Sequence, residues 1–364
     1  MSAKNGGAAL RYLLSKRPDN SRAWTVPRWE SPISSGVFPI GVTVNERFLP
    51  IGTAFTIGNL GIVATALHNI AAAFAHDRLD AKLRLERELP KEATLTDAGL
   101  ALFHSKMDDE GQVKVTIWPL ESCDGAPPTD LAFGFPIAQP TLETLPLPLS
   151  FKIPRVGSKV YCVGYGDMRY PDTGISLEDI RAGRVEWVNQ SALDLRVVEG
   201  RVSKILTKNF ASSFPTGPCV IIDGAAEHGQ SGGPVFDEDG FVCGVVSAGA
   251  SLFMEGNASV VSLLYPTLFH TIRYGVQMGP LRLNAKRSLI DLIGHGVVAT
   301  DGSETNLPLT LEHQLLAVGA AIHRDDVMHA YDDFAGLQAA KSAERIDGPT
   351  YRLKRHSPGN SEQS

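Results

Sequence analysis

Between residues 37 and 247 the sequence alternates between short apolar runs and clusters of turn-forming residues. The runs are rich in Val, Ile, Phe and Thr, and they are bounded by Gly, Asn, Asp or Pro. Many short strand signals at such spacing predict an antiparallel all-β sandwich or barrel. The 35 glycines and 23 prolines agree with a fold that has many turns. The predicted strands are residues 37–44, 48–57, 61–66, 113–118, 131–135, 159–165, 183–188, 192–198, 202–206, 219–222, 234–236 and 241–247.

The two ends of the chain differ in texture from this region. The first 35 residues are rich in Ser, Pro and Arg and predict an extended arm. After residue 265, apolar residues at three- and four-residue spacing favour helices, and one further helix is predicted within 66–89. The Pro-rich stretch 139–154 predicts a connection between two halves. The predicted parts are an arm, two β units, a helical extension and a disordered tail, at residues 1–35, 36–148, 149–265, 266–350 and 351–364.

Composition excludes several classes of protein. A hydrophobic fraction of 43% with 20% charged residues is typical of a globular protein. The net charge of -6, from 34 Lys and Arg against 40 Asp and Glu, argues against a nucleic-acid partner. There is no apolar run of about 18 residues, so we expect no membrane-spanning segment. The N-terminus lacks the apolar core of a secretory signal, and we therefore expect a cytoplasmic protein.

The cysteines and the C-terminal histidines give only weak signals for metal binding. The four cysteines have no C-x-x-C spacing, and three of them lie in apolar stretches, which favours buried, reduced thiols. A metal site or a disulfide framework is the alternative. The spacing of His323 and His329 could suggest zinc, but without a cysteine pair we expect solvated helix histidines. We therefore expect neither a metal nor a cofactor. The cysteines are Cys123, Cys162, Cys219 and Cys243.

Three short segments carry the residue types that nucleophilic catalysis needs. A predicted hairpin over residues 51–66 delivers His68 where its second strand ends. Asp130 directly precedes an apolar strand that could hold it rigidly, and Ser231 lies among glycines just before another strand. A serine hydroxyl is a weak nucleophile and needs a base within hydrogen-bond reach. The competing acids lie in polar or Gly/Pro-rich segments; they are Asp97, Asp108, Asp109 and Asp124.

Each of these residues also has a purely structural interpretation. His68 alone could be a buried structural histidine, and Ser231 an inert loop serine. Residues 229–233 also match G-x-S-x-G, the nucleophile elbow of α/β-hydrolases. That elbow needs a helix after the serine, and an acid and then a histidine further downstream. Here Gly-Gly-Pro-Val-Phe leads into a strand instead, which argues against the elbow.

In the order His, Asp, Ser, these segments closely resemble the trypsin-like (chymotrypsin-fold) serine peptidases, especially their bacterial branch without disulfides. The family's Thr-Ala-x-His motif is present at residues 65–68, and its Gly-x-Ser-Gly-Gly-Pro motif at 229–234. Asp130 is followed by the Leu-Ala pair that is typical of the family's acid, and residues 156–166 look like the strand that opens the second barrel. The resemblance covers residues 36–265 and implies two antiparallel six-stranded β-barrels.

The resemblance also assigns roles to residues. It implies His68 as general base, Asp130 as the group that orients it, and Ser231 as nucleophile. The backbone N–H groups of Gly229 and Ser231 would form the oxyanion hole. This chemistry needs no cofactor, and its substrates are proteins or peptides.

Two departures from the family bear on activation and specificity. Gln230 replaces the aspartate that pairs with a newly cut N-terminus in zymogen-activated members, so activation by that route is not expected. Ala225 replaces the acid of the trypsin subset and predicts a pocket for small or medium apolar side chains. Asp223 could enter that pocket if the loop is displaced, which leaves basic specificity open, and His228 could be a loop residue or a substrate contact. The second wall of the pocket would be Ser247, Ala248 and Gly249.

The leading functional hypothesis is a serine endopeptidase that works through an acyl-enzyme. One alternative is a binding module that uses the same fold with weak or lost catalysis. Another is a latent intracellular signalling or defence protease that a partner controls through the C-terminal extension. Since residues 309–345 look helical rather than strand-rich, we do not expect the C-terminal peptide-binding domain found in many bacterial stress proteases.

Overall fold

The computed structural model describes residues 4–27, 32–44, 46–70, 99–107, 113–126, 129–136, 144–166, 174–182, 184, 194–207, 217–249, 258–278 and 281–306. The chain divides into two compact units, Met1–Asn306 and Leu307–Ser364, and all described residues belong to the first. In chain order the elements are α1 (Lys4–Ser15), β1 (Ala23–Val26), β2 (Val37–Val44), β3 (Arg47–Thr56), β4 (Val63–Ala66), β5 (Gly99–Met107), β6 (Val113–Gly125), β7 (Leu131–Pro136), β8 (Lys159–Gly164), β9 (Ile175–Ser176), α2 (Leu177–Arg181), β10 (Leu195–Leu206), β11 (Cys219–Ile222), β12 (Pro234–Phe236), β13 (Val242–Gly249), β14 (Ser259–Leu263), β15 (Thr271–Met278), β16 (Leu281–Ser288) and α3 (Leu289–Gly294).

Most strands of the first unit form two closed antiparallel β-barrels of six strands each, which confirms the predicted pair of barrels. In the first barrel the strand order is β2, β5, β6, β7, β4, β3, and pairing of β2 with β3 closes the ring. In the second the order is β10, β11, β14, β13, β12, β8, closed by pairing of β10 with β8. The short strands β9 and β1 add to the outside of the first and second ring, respectively.

Fully buried aliphatic and aromatic side chains fill both barrels. Every residue of β2 is buried, and Phe38, Ile40 and Val42 lie in the core cluster of the first barrel. Val163 and Val245 are 0% exposed in the second barrel. Burial of one such side chain contributes about 1.5–3 kcal/mol. Many short strands therefore suffice to make a rigid frame.

The proline-rich connection runs from one barrel to the other. In its described part, the N–H of Leu147 donates to Thr56 O on β3 at 2.9 Å. The N–H of Ser150 donates to Val242 O on β13 at 2.7 Å. These bonds satisfy the buried backbone of a segment that has no named strand. The connection therefore fastens the two barrels together.

The N-terminal segment is not the extended arm that the composition predicts. It begins with α1, whose Leu10 and Leu13 are buried, and continues into β1, which pairs with β10. The indole of Trp24 donates to Leu13 O at 3.0 Å and so joins the helix to the strand. The apolar spacing of this short helix is hidden among glycines and basic residues, and the prediction missed it for that reason.

The segment after residue 265 is also corrected by the structure. Strands β15 and β16 pair with each other in antiparallel fashion where helices were predicted, and β15 packs on β6 and β7. Ile272 and Tyr274 are buried on either side of Arg273, a strand alternation that the helical interpretation overlooked. A short helix does follow as α3, with Ser288 as its N-cap. The helices predicted between 307 and 350, the tail 351–364 and His323 and His329 lie outside the described residues.

Several smaller predictions differ in extent from the structure. The strands β5 and β14 were not predicted, and the two strands predicted at 192–198 and 202–206 meet in one continuous strand, β10, which begins at Leu195. The strand predicted at 183–188 lies outside the described residues apart from residue 184. Of the helix predicted within 66–89, residues 67–70 are helical and the rest is not described. The four cysteines are all buried thiols that take part in no disulfide. None of the described helices is long and apolar enough to cross a membrane.

Candidate active site

His68 and Asp130 meet at neighbouring ends of two paired strands. Ala66, the last residue of β4, lies opposite Leu131, the first residue of β7. His68 Nδ1 lies 2.7 Å from Asp130 Oδ2, and the N–H of His68 donates to Asp130 Oδ1 at 2.9 Å. The carboxylate is 1% exposed and the imidazole 30% exposed. The pairing of β4 with β7 therefore produces an ion-pair geometry with one buried and one accessible partner.

Ser247 supplies a third hydrogen bond to Asp130. It lies on β13 of the second barrel, is fully buried, and donates its hydroxyl to Asp130 Oδ2. A buried carboxylate is tolerated when its lone pairs are satisfied, and Asp130 receives all its bonds from fixed groups. Because Nδ1 of His68 faces this carboxylate as a donor, Nε2 is the ring nitrogen left to accept a proton. Both barrels thus set the orientation of the imidazole.

Ser231 lies in a turn whose backbone only glycine can follow. Gly229 and Gly232 have φ values of 95° and 86°, in the left-handed region. A Cβ at Gly232 would collide with Thr53 O and Thr65 Oγ1, both in the first barrel. The glycines of the serine motif therefore let the turn sit tightly against the opposite barrel.

The first barrel holds the carbonyl of Ser231 with two donors. Ser231 O accepts from the N–H of Thr53 at 2.8 Å and from Asn69 Nδ2 at 2.9 Å. Asn69 directly follows His68 and also donates to Thr65 Oγ1 at 3.2 Å. The side chain of Asn69, the residue after His68, thus holds the backbone of Ser231 through a hydrogen bond. The structure in this way brings His68, Asp130 and Ser231 together at the junction of the barrels.

Three groups around Ser231 have no partner within the described part of the chain. The Ser231 hydroxyl forms no hydrogen bond with any described residue, and the N–H groups of Gly229 and Ser231 donate to none of them. Gln230 between them is fully buried. These two N–H groups have no acceptor among the described residues and lie beside the Ser231 hydroxyl. Such groups are the elements of a site that can bind an oxyanion.

The predicted pocket residues converge on Ser259 of β14. The hydroxyl of Ser259 donates to Gly224 O and accepts from the N–H of Ala226, both at 2.7 Å, so it ties down the loop that carries the exposed Ala225. Across the sheet, Ser259 is the register partner of Gly249. Both predicted walls of the pocket therefore lie beside one residue that the sequence analysis missed.

The side chain of Ser247 does not line this pocket, in contrast to the prediction, since its hydroxyl faces Asp130. Ala248, the next residue of β13, pairs with Val260. The sequence shows Ser247 only as one residue of an apolar strand, and no local pattern reveals that this strand passes behind the acid. Asn69 and Thr53 were missed for the same reason, because their partners are distant in sequence.

Asp223 is engaged by arginines rather than by the pocket. Its Oδ1 accepts from Arg22 Nη2 at 2.6 Å and from the N–H of Arg201 at 2.5 Å. Burial alone would raise the pKa of Asp223, but these two donors outweigh burial and lower its pKa. His228 is an exposed residue of the turn. Asp223 is therefore an ionised carboxylate whose charge is already compensated.

Asp124, one of the competing acids, is paired with an arginine rather than with His68. It forms a two-pronged ion pair with Arg273 of β15, with Arg273 Nε donating to Asp124 Oδ2 at 2.7 Å. The other competing acids, Asp97, Asp108 and Asp109, lie outside the described residues. Asp130 is the acid that the described structure joins to His68.

Comparison with known proteins identifies the family. Residues 52–245 match the family model of the trypsin-like peptidase domain. Solved structures that the chain matches include the active form of the Rv3671c protease from M. tuberculosis, at 18% identity over 63% of this chain and 76% of that chain, with a TM-score of 0.39. They also include the MamO protease domain from Magnetospirillum magneticum (16% identity, 64% of this chain, 93% of that chain, TM-score 0.38) and Deg5 (17%, 65%, 88%, 0.39). No curated protein sequence matches the chain. Because the family model spans more than half of its 364 residues, this chain belongs to the trypsin-like peptidase domain family.

Proposed function

We propose that this chain is a serine endopeptidase that hydrolyses protein substrates through an acyl-enzyme. The observation that carries the proposal is the contact between Asp130 and His68. Asp130 is buried and its carboxylate accepts three hydrogen bonds, while His68 is partly exposed. Asn69 holds Ser231 beside this pair. Membership of a peptidase family supports protein or peptide chains as the substrates.

In the proposed acylation step, Ser231 Oγ attacks the carbonyl carbon of the scissile peptide bond. His68 Nε2 takes the hydroxyl proton, and the carbonyl oxygen becomes an oxyanion. Collapse of the tetrahedral intermediate breaks the C–N bond as His68 gives the proton to the leaving amine. Water, deprotonated by His68, then attacks the ester carbonyl. The ester C–O bond breaks as His68 returns the proton to Ser231 Oγ, which releases the carboxylic acid product and regenerates Ser231.

The neighbouring groups supply the electrostatics of both steps. Asp130 stabilises the imidazolium that forms twice in each cycle and keeps Nδ1 in its donor role. The N–H groups of Gly229 and Ser231 donate to none of the residues that the structure describes, so they are suited to bind the oxyanion, and a single such donor contributes about 3–4 kcal/mol. Hydrogen bonds between a nucleophile and its base often tighten only when substrate binds, which fits the unengaged hydroxyl of Ser231.

The charges around the predicted pocket favour an uncharged residue on the acyl side of the cleaved bond. Ala225 brings no charge, and Asp223 is paired with Arg22. The hydroxyl of Ser259 already donates one hydrogen bond and accepts another within the protein. A lysine or arginine side chain of a substrate would thus find no free carboxylate among these residues. We propose a preference for small or medium apolar side chains.

A burst assay with a p-nitrophenyl ester, run beside digestion of unfolded casein, tests the proposal. Wild type should release a burst of nitrophenol equal to the enzyme concentration, and Ser231→Ala and His68→Ala should release none. Ser158→Ala is the matched control, because that hydroxyl only closes a surface turn by donating to Arg155 O. Its burst should equal that of wild type. A folded wild-type protein with no burst would contradict the proposal and favour a binding module.

A burst without casein digestion would mean that Ser231 can be acylated while protein substrates cannot reach it. That outcome would support the latent, partner-controlled form of the proposed peptidase. Addition of cell lysate should then restore casein digestion by the wild type but not by Ser231→Ala.

A further inference from the structure

Gln230 is a buried amide that uses both of its ends. Its Oε1 accepts from the N–H of Glu227 at 2.8 Å, and its Nε2 donates to Arg196 O on β10 at 3.0 Å. Its own N–H donates to Glu227 O at 3.1 Å. The side chain is fully buried, and a buried amide is stable only when such bonds are made. The turn at 227–230 is thereby closed on itself and attached to a barrel strand.

Arg196 braces the same turn from behind. Its Nε donates to Glu227 Oε1 at 2.8 Å, and its Nη1 donates to Thr25 Oγ1 at 3.1 Å. Thr25 lies on β1 and is the register partner of Arg196. A single guanidinium group therefore links the N-terminal strand to the turn that precedes Ser231.

A second arginine from the N-terminal segment reaches the start of this loop. Arg22 Nη2 donates to Asp223 Oδ1 at 2.6 Å and to Asp223 O at 3.2 Å. The loop from Asp223 to Gln230 is thus contacted at its start by Arg22 and near its end by Arg196. Arg196 is in turn hydrogen-bonded to Thr25 of the N-terminal segment. Gly229 and Ser231 flank Gln230 in this loop, and neither of their N–H groups donates to a described residue.

From these contacts we infer that Gln230 is a positioning residue. It fixes the Gly229–Ser231 turn in the conformation in which the N–H groups of Gly229 and Ser231 donate to no described residue. Arg196 and residues 22–25 form the support on which Gln230 depends. The inference rests on the proposed function for the role of those N–H groups. The order of the loop, in contrast, is a property that can be measured without catalysis. On this account the N-terminal segment is a structural part of the catalytic unit.

The first test is Gln230→Met, which keeps the length and burial of the side chain but removes both hydrogen bonds. The rate constant for labelling by a fluorophosphonate should fall about 100-fold, the scale of losing an oxyanion donor. Amide exchange of the peptide covering residues 224–234, measured by mass spectrometry, should accelerate about tenfold. Both are measured well below the melting temperature of each variant, so that a general loss of stability does not enter.

The second test is Arg196→Met, which is milder because that side chain is partly exposed and its backbone carbonyl stays in place. Labelling should slow about tenfold, and the same peptide should exchange faster. Arg184→Met is the matched control, since Arg184 forms a comparable surface ion pair with Asp179 outside the loop. Its labelling rate and its exchange over 224–234 should equal those of wild type.

Labelling and exchange at wild-type values in both Gln230→Met and Arg196→Met would overturn the inference, even if the melting temperature dropped. If the wild type itself does not label, the proposed function fails. The exchange data then still decide the inference, because faster exchange in Gln230→Met supports the positioning role and unchanged exchange refutes it.

Discussion

The two barrels contribute to the site in different ways. The first barrel provides His68 and Asp130 from the ends of two paired strands, and a side-chain hydrogen bond joins them. The second barrel provides Ser231 from a turn with left-handed glycines, held by backbone atoms and by the buried amide of Gln230. The His68–Asp130 pair is thus positioned by sheet register, while Ser231 is positioned by hydrogen bonds to its loop.

Neither barrel completes its part alone. Asp130 takes a hydrogen bond from Ser247 of the second barrel, and Ser231 O takes two from Thr53 and Asn69 of the first. The site therefore requires the two barrels to be docked in one arrangement. This reciprocity indicates that substitutions at the junction should affect chemistry and stability together.

The largest expected effect comes from Asp130→Asn, which keeps the shape of the acid but reverses one hydrogen bond of the pair. The amide would present an N–H to His68 Nδ1 and hold the imidazole in the wrong tautomer. The rate of ester acylation should fall about 10⁴-fold, the loss typical of a triad with that fault. Stopped-flow acylation measures it, and a loss below tenfold would show that Asp130 does not control the tautomer.

The next effect is on stability, from Gly232→Ala at the contact of the serine turn with the first barrel. The new Cβ would strike Thr53 O and Thr65 Oγ1 in a backbone conformation that already costs an L residue energy. Urea unfolding should show a loss of about 3 kcal/mol. Gly157→Ala is the control, since its φ of 87° is similar but nothing lies within 4 Å, and it should lose about 1 kcal/mol. Equal losses would refute the tight junction.

A smaller effect is expected from Asn69→Leu, which breaks the side-chain link between the histidine segment and Ser231. Ser231 O keeps the N–H of Thr53, so the turn should remain in place with more freedom. We expect about 1–2 kcal/mol less stability, together with roughly tenfold slower acylation. Asn59→Leu, at an exposed turn position, should leave the acylation rate unchanged. Wild-type acylation in Asn69→Leu would remove Asn69 from the positioning of Ser231.

The smallest effect concerns the half-buried acid Asp237, which follows β12. Burial raises its pKa from 3.8 to about 6, against two hydrogen bonds from the N–H groups of Asp239 and Phe241. Because its folded pKa is raised, stability decreases as the pH rises from about 4 to about 6 and stays lower above that window.

Asp237→Asn should therefore stabilise the protein by about 1 kcal/mol at pH 8 and by almost nothing at pH 3.5. Unfolding in urea at both pH values measures this. Asp239→Asn, at an exposed position of the same turn, should change stability by less than about 0.5 kcal/mol at either pH. A gain for Asp237→Asn that is equal at both pH values would contradict the assignment.

Much of the fold was predictable because the strands carry their own signal. The β2, β3 and β11 segments are apolar runs with turn residues at their ends, and the structure has strands there. The hairpin β15–β16 was not predicted, because the helical spacing nearby decided the interpretation and the strand alternation was overlooked. Helix α1 was hidden because only a few apolar residues define its buried face.

For the site, the sequence predicted residues that lie in continuous motifs and missed those that act across the fold. His68, Asp130 and Ser231 each sit in a local pattern that can be seen in a few residues. Ser247, Asn69 and Ser259 have partners between 30 and 170 residues away, so no local pattern predicts them. For Gln230 the sequence indicated only that the negative charge of the family's aspartate is missing. Its two side-chain hydrogen bonds depend on the loop and on β10, and no local pattern predicts them.

The account depends on whether Ser231 is an activated nucleophile. The most direct measurement is peptide mapping by mass spectrometry after incubation of the folded protein with a fluorophosphonate. We predict one adduct per molecule, located on Ser231 and absent from His68→Ala. A folded protein without an adduct, or with its adduct on another serine, would contradict the account.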